Sequence, residues 1–352
     1  MYGLRVGFFL SVFGMTIAMA KEPPTITGTP MIDTPRLLLW PNDQGELKPN
    51  LNDATSNVLF DFHGELNECD FVLSSEGNYH PALHDIWPIF QAKFKDQPLK
   101  NAFYTTSPPV FTEQTQNGVV QFGNLYAKCR PQLAAAGMEE IKKLQEAGLT
   151  DGEPIPFYED RGEVILVKKG NPKHIKTIWD LARADVHYVS PNPEKEVGAF
   201  KNYLNTIYAI AVQDPHPPAG MNAEKLINSI FNSAKTPDKW LAGTRIHHRD
   251  VPWSIAYGKS DAGVIIYHLG RFTQQTFPEQ FDIVPLGGSV DNPQPLPGTV
   301  TSVRYVVKVK GEWSARQREA AQTFIDTLLS EDFTEILQKR GLKRPADFGK
   351  TN

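Results

Sequence analysis

Two serines, a glycine and an asparagine follow an early apolar run, and their types and order suit the binding of a small polar ligand. The segment reads Phe71-Val-Leu-Ser74-Ser75-Glu-Gly77-Asn78, and a helical pattern begins near Pro81. A short apolar run before a helix predicts a strand that leads into that helix. At such a junction unpaired backbone N–H groups and the helix dipole favour an anion. The alternative is that Ser75 or Asn78 only caps the helix.

The same arrangement recurs at two later strand ends. Asn101–Tyr104 predicts a strand that ends in Thr105, Thr106 and Ser107, and a third apolar run ends in Ala134–Gly137. Ligands of open α/β sheets bind at the carboxyl ends of the strands. The repetition therefore favours a ligand site over simple helix capping.

Strands and helices continue to alternate to the end of the chain, which predicts an α/β fold. Further strands are expected at 164–167, 186–189, 261–266, 281–285 and 302–309. Helices are expected at 138–148, 177–182 with Thr177 as cap, 198–212, a short segment capped by Asp250, and a single long helix at 315–339.

Residues 1–20 have the pattern of an export signal. Arg5 precedes an apolar run, and Ala18-Met19-Ala20 has the small-x-small form of a cleavage site. The run is short for a bilayer span, so we expect cleavage before Lys21 and a soluble periplasmic chain; a single membrane anchor is the alternative. Residues 21–56 are rich in Pro, Thr, Asn and Asp and predict an extended arm that wraps the surface or stays mobile.

Composition and motifs argue against several functions. Without residues 1–20 the chain has 35 Lys and Arg against 40 Asp and Glu, a net charge of −5, and no basic stripe with interleaved aromatic residues, so nucleic acid is not an expected partner. Neither a GxSxG motif nor a phosphate loop occurs, so we expect no enzyme activity and no cofactor. Two cysteines are too few for a zinc site.

Four stretches resemble the type II periplasmic substrate-binding proteins of ABC transporters, with the molybdate- and tungstate-binding branch as the most similar. They are the strand end at 71–78, VILVKKGNPKHIKTIWDLARADVHYVSPNP at 164–193, GKSDAGVII at 258–266, and AAQTFIDTLLSEDFTEILQKRGLKRP at 320–345. The resemblance implies two lobes, each a mixed sheet flanked by helices, joined by two crossovers. We expect lobe one at 57–183 plus 299–352 and lobe two at 184–298.

The resemblance also implies which residues bind the ligand. In oxyanion-binding members of the family, hydroxyls and backbone amides at the strand ends hold the ligand, and a tyrosine follows the DAG strand in the molybdate binders. Here that position is Ile266 and the tyrosine is Tyr267, one residue later, which reverses its face on a strand. The predicted ligand-binding residues are Ser74, Ser75, Gly77, Asn78, Thr106, Ser107, Ala135, Ala136, Asn192, His248, Arg249 and Tyr267.

His247-His248-Arg249 is not part of the molybdate pattern. Arg249 could clamp an anion with paired hydrogen bonds, or it could be a surface charge beside a helix start. The histidines could add donors or contact a metal carried by a chelate, although adjacent side chains diverge on an extended segment.

Cys69 and Cys129 precede two strands that are parallel neighbours in the fold of the resembling family. The resemblance therefore implies a disulfide between them, which an oxidising compartment permits; two buried free thiols are the alternative. For the whole chain we expect a monomeric protein that captures a small anionic or polar solute and delivers it to an ABC permease. A periplasmic sensor or chaperone that acts on a membrane receptor is the alternative, and an enzyme on the same fold is a third possibility.

Overall fold

The computed structural model describes residues 22–32, 63–106, 112–122, 124–244, 246–346 and 348. In these ranges the strands are β1 (Met31–Ile32), β2 (His63–Leu66), β3 (Phe71–Ser75), β4 (Ala102–Thr105), β5 (Val120–Phe122), β6 (Asn124–Ala127), β7 (Leu133–Gly137), β8 (Thr150–Glu159), β9 (Glu163–Lys168), β10 (Tyr188–Ser190), β11 (Trp240–Ala242), β12 (Ala262–Ile266), β13 (Phe281–Pro285) and β14 (Val303–Val309). The helices are α1 (His80–Ala92), α2 (Thr112–Asn117), α3 (Met138–Glu146), α4 (Val197–Gln213), α5 (Ala223–Phe231), α6 (His247–Ala256), α7 (Tyr267–Thr276), α8 (Ala315–Leu328) and α9 (Glu331–Lys339). Short 3₁₀ helices span Gly77–Tyr79 and Ile178–Ala182.

Sheet one has the strand order β4-β3-β7-β14-β8 within the described ranges. Strand β3 runs parallel to β4 and β7, whereas β14 runs antiparallel to β7 and β8. All of β3 is buried, as expected for a strand whose two faces are both covered. One face packs on α1, α8 and α9 through Phe71, Phe90 and Phe324, and α3 packs on the other. We call sheet one with its helices lobe one.

Sheet two has the order β1-β11-β10-β12-β9-β13 over the same described residues. Its first four strands are parallel, and β9 is antiparallel to both of its neighbours. Helices α4 and α5 cover one face and α6 and α7 the other. We call this part of the chain lobe two. The expected two-lobed α/β fold, with a mixed sheet in each lobe, is confirmed.

The chain passes from lobe one to lobe two between β8 and β9 and returns between β13 and β14. Asp160 joins the two crossings, because its carboxylate accepts hydrogen bonds from the backbone N–H groups of Gly162 and Ser302. Strand β9 pairs with β12 and β13, and the 3₁₀ helix Ile178–Ala182 packs in the core of lobe two. Because sheet pairing decides lobe membership, we propose that lobe two begins at β9, in place of the expected boundary after residue 183.

Residues 22–32 lie along lobe two. Strand β1 extends sheet two beside β11, and the Asn232 side chain accepts hydrogen bonds from the backbone N–H groups of Thr27 and Gly28. A Cβ at Gly28 would collide with the Phe231 carbonyl oxygen, so only glycine allows this approach. The predicted cleavage site and the rest of the predicted arm lie outside the described residues.

Two helix predictions are wrong in detail. The single helix expected at 315–339 is two, because the hydroxyl of Ser330 accepts a hydrogen bond from Phe333 N–H and begins α9. Helix α6 begins at His247 and not after Asp250. The Asp250 carboxylate instead accepts from the N–H groups of Thr244 and Ile246. His247 and His248 therefore lie in a helical first turn and not on an extended segment.

A disulfide joins Cys69 and Cys129, with Cα atoms 5.7 Å apart. The strands that follow the two cysteines, β3 and β7, are parallel neighbours. The expected disulfide is therefore confirmed. It lies beside the small sheet β2-β6-β5 and packs against Leu66 and Val72.

Loss of this disulfide is expected to lower the free energy of unfolding by about 2–4 kcal/mol, because it closes a long loop in the unfolded chain. The cysteines are separated by 60 positions. The measurement is urea unfolding of the wild type and of a Cys69→Ser/Cys129→Ser variant. Thiol labelling of the denatured, unreduced wild type is the control, and two reactive thiols per chain would contradict the assignment.

Candidate ligand site between the lobes

The first strand ends of lobe one meet as the sequence predicts. Ser74 pairs with Thr105 across β3 and β4, and Ser75 pairs with Ala135 across β3 and β7. Both serine side chains are buried. The Ser75 hydroxyl forms a hydrogen bond with the hydroxyl of Tyr79, whereas the Ser74 hydroxyl has no partner. Ser74 therefore has hydrogen-bonding capacity left for a ligand, and Ser75 is already engaged within lobe one.

The Gly77–Tyr79 turn brings lobe one into contact with lobe two. A Cβ added at Gly77 would lie 3.1 Å from the Thr106 carbonyl oxygen and 3.3 Å from Cε1 of His248 on α6. Nε2 of His268 on α7 is 2.7 Å from the Asn78 carbonyl oxygen. These contacts hold the predicted residues Gly77, Asn78 and Thr106 at a closed seam between the lobes.

A buried ion pair lies at the same strand end. The guanidinium of Arg304 on β14 donates from Nε to the Glu76 carboxylate, and these side chains are only 11% and 13% exposed. The pair neutralises the one carboxylate in the Ser74–Asn78 segment. The sequence prediction missed this pair, because Arg304 is 228 positions away from Glu76 and no local pattern links them.

Asn192 organises the facing loop of lobe two. Its side-chain nitrogen donates to the Gly243 carbonyl oxygen, and its side-chain oxygen accepts from the N–H groups of Glu194 and Lys195. These bonds connect the carboxyl ends of β10 and β11 and lead the chain into α4. Asn192 thus lies at the lobe-two strand ends with its side chain bonded within lobe two, and a role in ligand binding stays a prediction.

Helices α4 and α6 begin side by side at these strand ends. Glu196, the residue before α4, accepts a hydrogen bond of 2.8 Å from Nδ1 of His247 on α6. The His247 side chain is 6% exposed, and its ring lies at 5.4 Å from that of His248 between centroids. Glu196 and His247 were not among the predicted site residues. The adjacency of His247 to His248 was the available signal, but its carboxylate partner lies on a different helix.

The two histidines that touch lobe one are neutral at ordinary pH. Burial, assisted by the nearby His247 ring and the Arg249 guanidinium, lowers the pKa of His248 to about 3. Burial likewise lowers the pKa of His268 to about 4, although its hydrogen bond to Asn78 opposes the shift. Neither ring therefore supplies a positive charge to the seam. His268 was not among the predicted site residues. It follows the carboxyl end of β12 by two residues, so the rule that ligands bind at the carboxyl ends of strands would have selected it as it selected Ser74.

Arg249 is exposed on the first turn of α6. Its charge helps to lower the pKa of His80 on lobe one, after the larger effects of burial and His84. Arg249 therefore lies at the rim of the seam and not among its buried groups. A charge at the rim attracts an anion through space, but the exposed Arg249 side chain does not enclose one.

The remaining predicted residues have different surroundings. Tyr267 is the first residue of α7, and its hydroxyl donates to the Val290 carbonyl oxygen at 2.7 Å, so it supports lobe two. Ala135 and Ala136 are buried on β7, opposite Val306 and Tyr305 of β14. Ser107 lies outside the described residues.

Several buried polar atoms near the seam have no hydrogen-bond partner. Such groups are rare in folded proteins, and a group of them indicates a place for a ligand or water. They are Ser74 Oγ, Glu196 Oε2, His247 Nε2, His248 Nδ1 and His268 Nδ1. In the part of the chain that the structure describes, no group of three His, Cys, Asp or Glu side chains is arranged to hold a metal ion.

The chain belongs to the bacterial extracellular solute-binding protein family, whose profile matches residues 73–343. This match confirms the expected class of protein. Across the described ranges, no helix is long and apolar enough to cross a membrane.

Among curated relatives, the sulfate-binding protein of Escherichia coli K12 is 26% identical over 216 residues, which cover 59% of this chain and 60% of that protein. The chain thus spans about three fifths of the length of that relative. Among solved structures, the sulfate-binding protein SubI from Mycobacterium tuberculosis H37Rv superposes with a TM-score of 0.52 at 16% identity, over 81% of this chain and 88% of that one. Peb3 from Campylobacter jejuni superposes with a TM-score of 0.50 at 18% identity, over 78% and 100%.

Proposed function

We propose that this chain is an exported solute-binding protein that encloses a small anion between its lobes and delivers it to an ABC permease. Hinge closure around a ligand is the mode of action of such two-lobed proteins. Family membership supports the class, and the sulfate-binding relatives support an anionic ligand. The chain would supply hydrogen bonds and closure, with no reaction of its own.

The observation that carries this proposal is the seam itself. Strand ends of both lobes face each other where Gly77 meets His248 and Asn78 meets His268. Helices α4 and α6 begin side by side at the lobe-two end of the seam, where Glu196 is bonded to His247, and helix N-termini favour negative charge. The unpartnered Ser74 hydroxyl lies on the lobe-one side and the unpartnered His247 nitrogen on the lobe-two side.

Native mass spectrometry of the protein purified without denaturation from its own periplasm tests the proposal. We expect a bound small anion that is lost when the protein is denatured and refolded. Calorimetric titration of the refolded protein with that anion should restore one equivalent per chain. A bound ligand without an anionic group would contradict the proposed ligand class and leave the family assignment intact.

Export is a separate prediction. Cleavage after Ala20 is expected to give a mature N-terminus at Lys21, because Ala18-Met19-Ala20 matches the small-x-small pattern. N-terminal sequencing of periplasmic protein is the measurement. An Ala18→Leu/Ala20→Leu variant is the control and should accumulate uncleaved, whereas a mature protein that begins at Met1 would contradict the prediction.

A further inference from the structure

The Glu196–His247 pair presents hydrogen-bond acceptors, and not only donors, to the seam. His247 Nδ1 is bonded to Glu196 Oε1 at 2.8 Å. The two remaining polar atoms of the pair, His247 Nε2 and Glu196 Oε2, are buried without a partner. The carboxylate oxygen Oε2 can only accept, whatever the protonation state of the ring.

The partners of two rings decide which nitrogen carries the proton. His247 Nδ1 faces a carboxylate and must donate, so in the neutral ring Nε2 is a bare acceptor. His268 Nε2 faces the Asn78 carbonyl oxygen and must donate, so Nδ1 of that neutral ring is also an acceptor. His268 Nδ1 is buried without a partner as well. Acceptors therefore lie just before α4 and on α7, and on α6 when the His247 ring is neutral.

These groups lie on a continuous path across the seam. Glu196 contacts His247, the His247 ring packs against His248, and His248 reaches Gly77 of lobe one. The charged and titratable groups around His247 and His268 are Glu196, Tyr203, His248, Arg249 and Arg304. Of these, Arg304 is already paired with Glu76.

We propose that the seam binds a tetrahedral oxyanion that still carries a proton, such as hydrogen phosphate, in preference to sulfate. Glu196 and His247 are the residues that accept a hydrogen bond from the O–H group of that ligand. This inference rests on the proposed function. Sulfate offers lone pairs only, so a buried carboxylate oxygen would face it without a hydrogen bond and with like charge. Hydrogen phosphate has the same shape and can donate its O–H to that oxygen. Sites built to bond a ligand O–H reject analogues that lack it.

A metal ion is the competing occupant, because an imidazole with a carboxylate behind it is also a common metal-ligand arrangement. The absence of a metal-ligating group of three among the described residues favours the oxyanion. A zinc titration of the ligand-free protein therefore belongs in the test.

The experiment compares hydrogen phosphate with sulfate by calorimetric titration of refolded, ligand-free protein at about pH 8, where both ions are mainly dianions and only phosphate carries a proton. We expect wild type to bind phosphate about a hundredfold more tightly than sulfate. In Glu196→Gln an amide N–H₂ can replace Oε2, so sulfate should gain affinity, phosphate should lose it, and the ratio should fall below about tenfold. Glu194→Gln, an exposed neighbour on the same loop, is the matched control and should keep the wild-type ratio.

The outcomes separate the inference from the proposed function. Equal binding of sulfate and phosphate by wild type overturns the inference without any variant, and the proposed capture of an anion stands. An unchanged ratio in a folded Glu196→Gln also overturns the assignment of the pair. Failure to bind either ion, or tighter binding of zinc alone, overturns the inference too, and the ligand found by mass spectrometry then decides the proposed function independently.

Discussion

Replacing Arg304 by methionine is expected to lower the free energy of unfolding by about 3–5 kcal/mol, because it leaves the carboxylate of Glu76 buried without its counter-charge. Both side chains are nearly enclosed, and Glu76 immediately follows the buried strand β3. The loss of one partner costs more than the pair contributes, since the remaining charge keeps its full desolvation penalty. Urea unfolding of wild type and variant, followed by circular dichroism, measures the change.

The double variant Glu76→Gln/Arg304→Met is the decisive control. It removes both charges, so much of the lost stability should return, and the double-mutant cycle should give a coupling energy of at least about 1 kcal/mol. Lys143→Met provides a matched comparison, because Lys143 pairs with Glu140 on the exposed face of α3. That substitution should cost less than about 0.5 kcal/mol. An Arg304→Met variant as stable as the Lys143 variant would contradict the assignment of a buried pair.

The sequence predicted those elements whose signal is local. The run Phe281–Pro285 forms β13 with the expected bounds, because an apolar segment between polar turns has few alternatives. Thr177 caps its 3₁₀ helix with a complete capping box, as the Thr-x-x-Asp spacing indicates. The Cys69–Cys129 disulfide was predicted from the order of two strands in the fold of the resembling family. That prediction likewise needed no knowledge of side-chain positions.

The differences lie where distant contacts decide the structure. Strand β9 falls within the range expected for lobe one, yet its hydrogen bonds are with β12 and β13, about a hundred residues later in the chain, and this pairing is why we propose that lobe two begins there. Helix α6 begins earlier than expected because Asp250 accepts hydrogen bonds from the N–H groups of Thr244 and Ile246. A sequence pattern shows a cap residue but not which backbone groups it will bind.

The sequence predicted which residues lie where the lobes meet better than it predicted their partners. Ser74, Gly77 and Asn78 lie at the seam, since strand-end positions follow from the order of strands, and their contact with a ligand stays a prediction. Glu196 and His247 were missed because the pair forms between two helix N-termini 51 positions apart. Pairs between distant residues determine which charges and hydrogen-bonding groups a site presents, and no periodic pattern in the sequence indicates which residues will pair.

Substituting valine at Gly77 is expected to weaken anion binding by about tenfold to a hundredfold, because closure brings His248 against this position. Even a single Cβ would lie 3.1 Å from the Thr106 carbonyl oxygen and 3.3 Å from the His248 ring. The γ-carbons of valine need more room, so α6 would have to move away and the lobes would stay partly open. Titration with the anion found by mass spectrometry measures affinity, and small-angle X-ray scattering with and without that anion measures closure.

A graded series distinguishes this steric effect from a general loss of stability. Gly77→Ala should weaken binding less than Gly77→Val, since it adds one carbon at a distance that a small shift of His248 can relieve. Gly198→Val is the matched control, because Gly198 lies in the first turn of α4 and a Cβ there would have open space around it. It should bind the anion like wild type and show the same compaction on binding. If Gly77→Val keeps wild-type affinity and compaction, the seam between Gly77 and His248 does not form in the ligand-bound state, and the ligand must be enclosed elsewhere between the lobes.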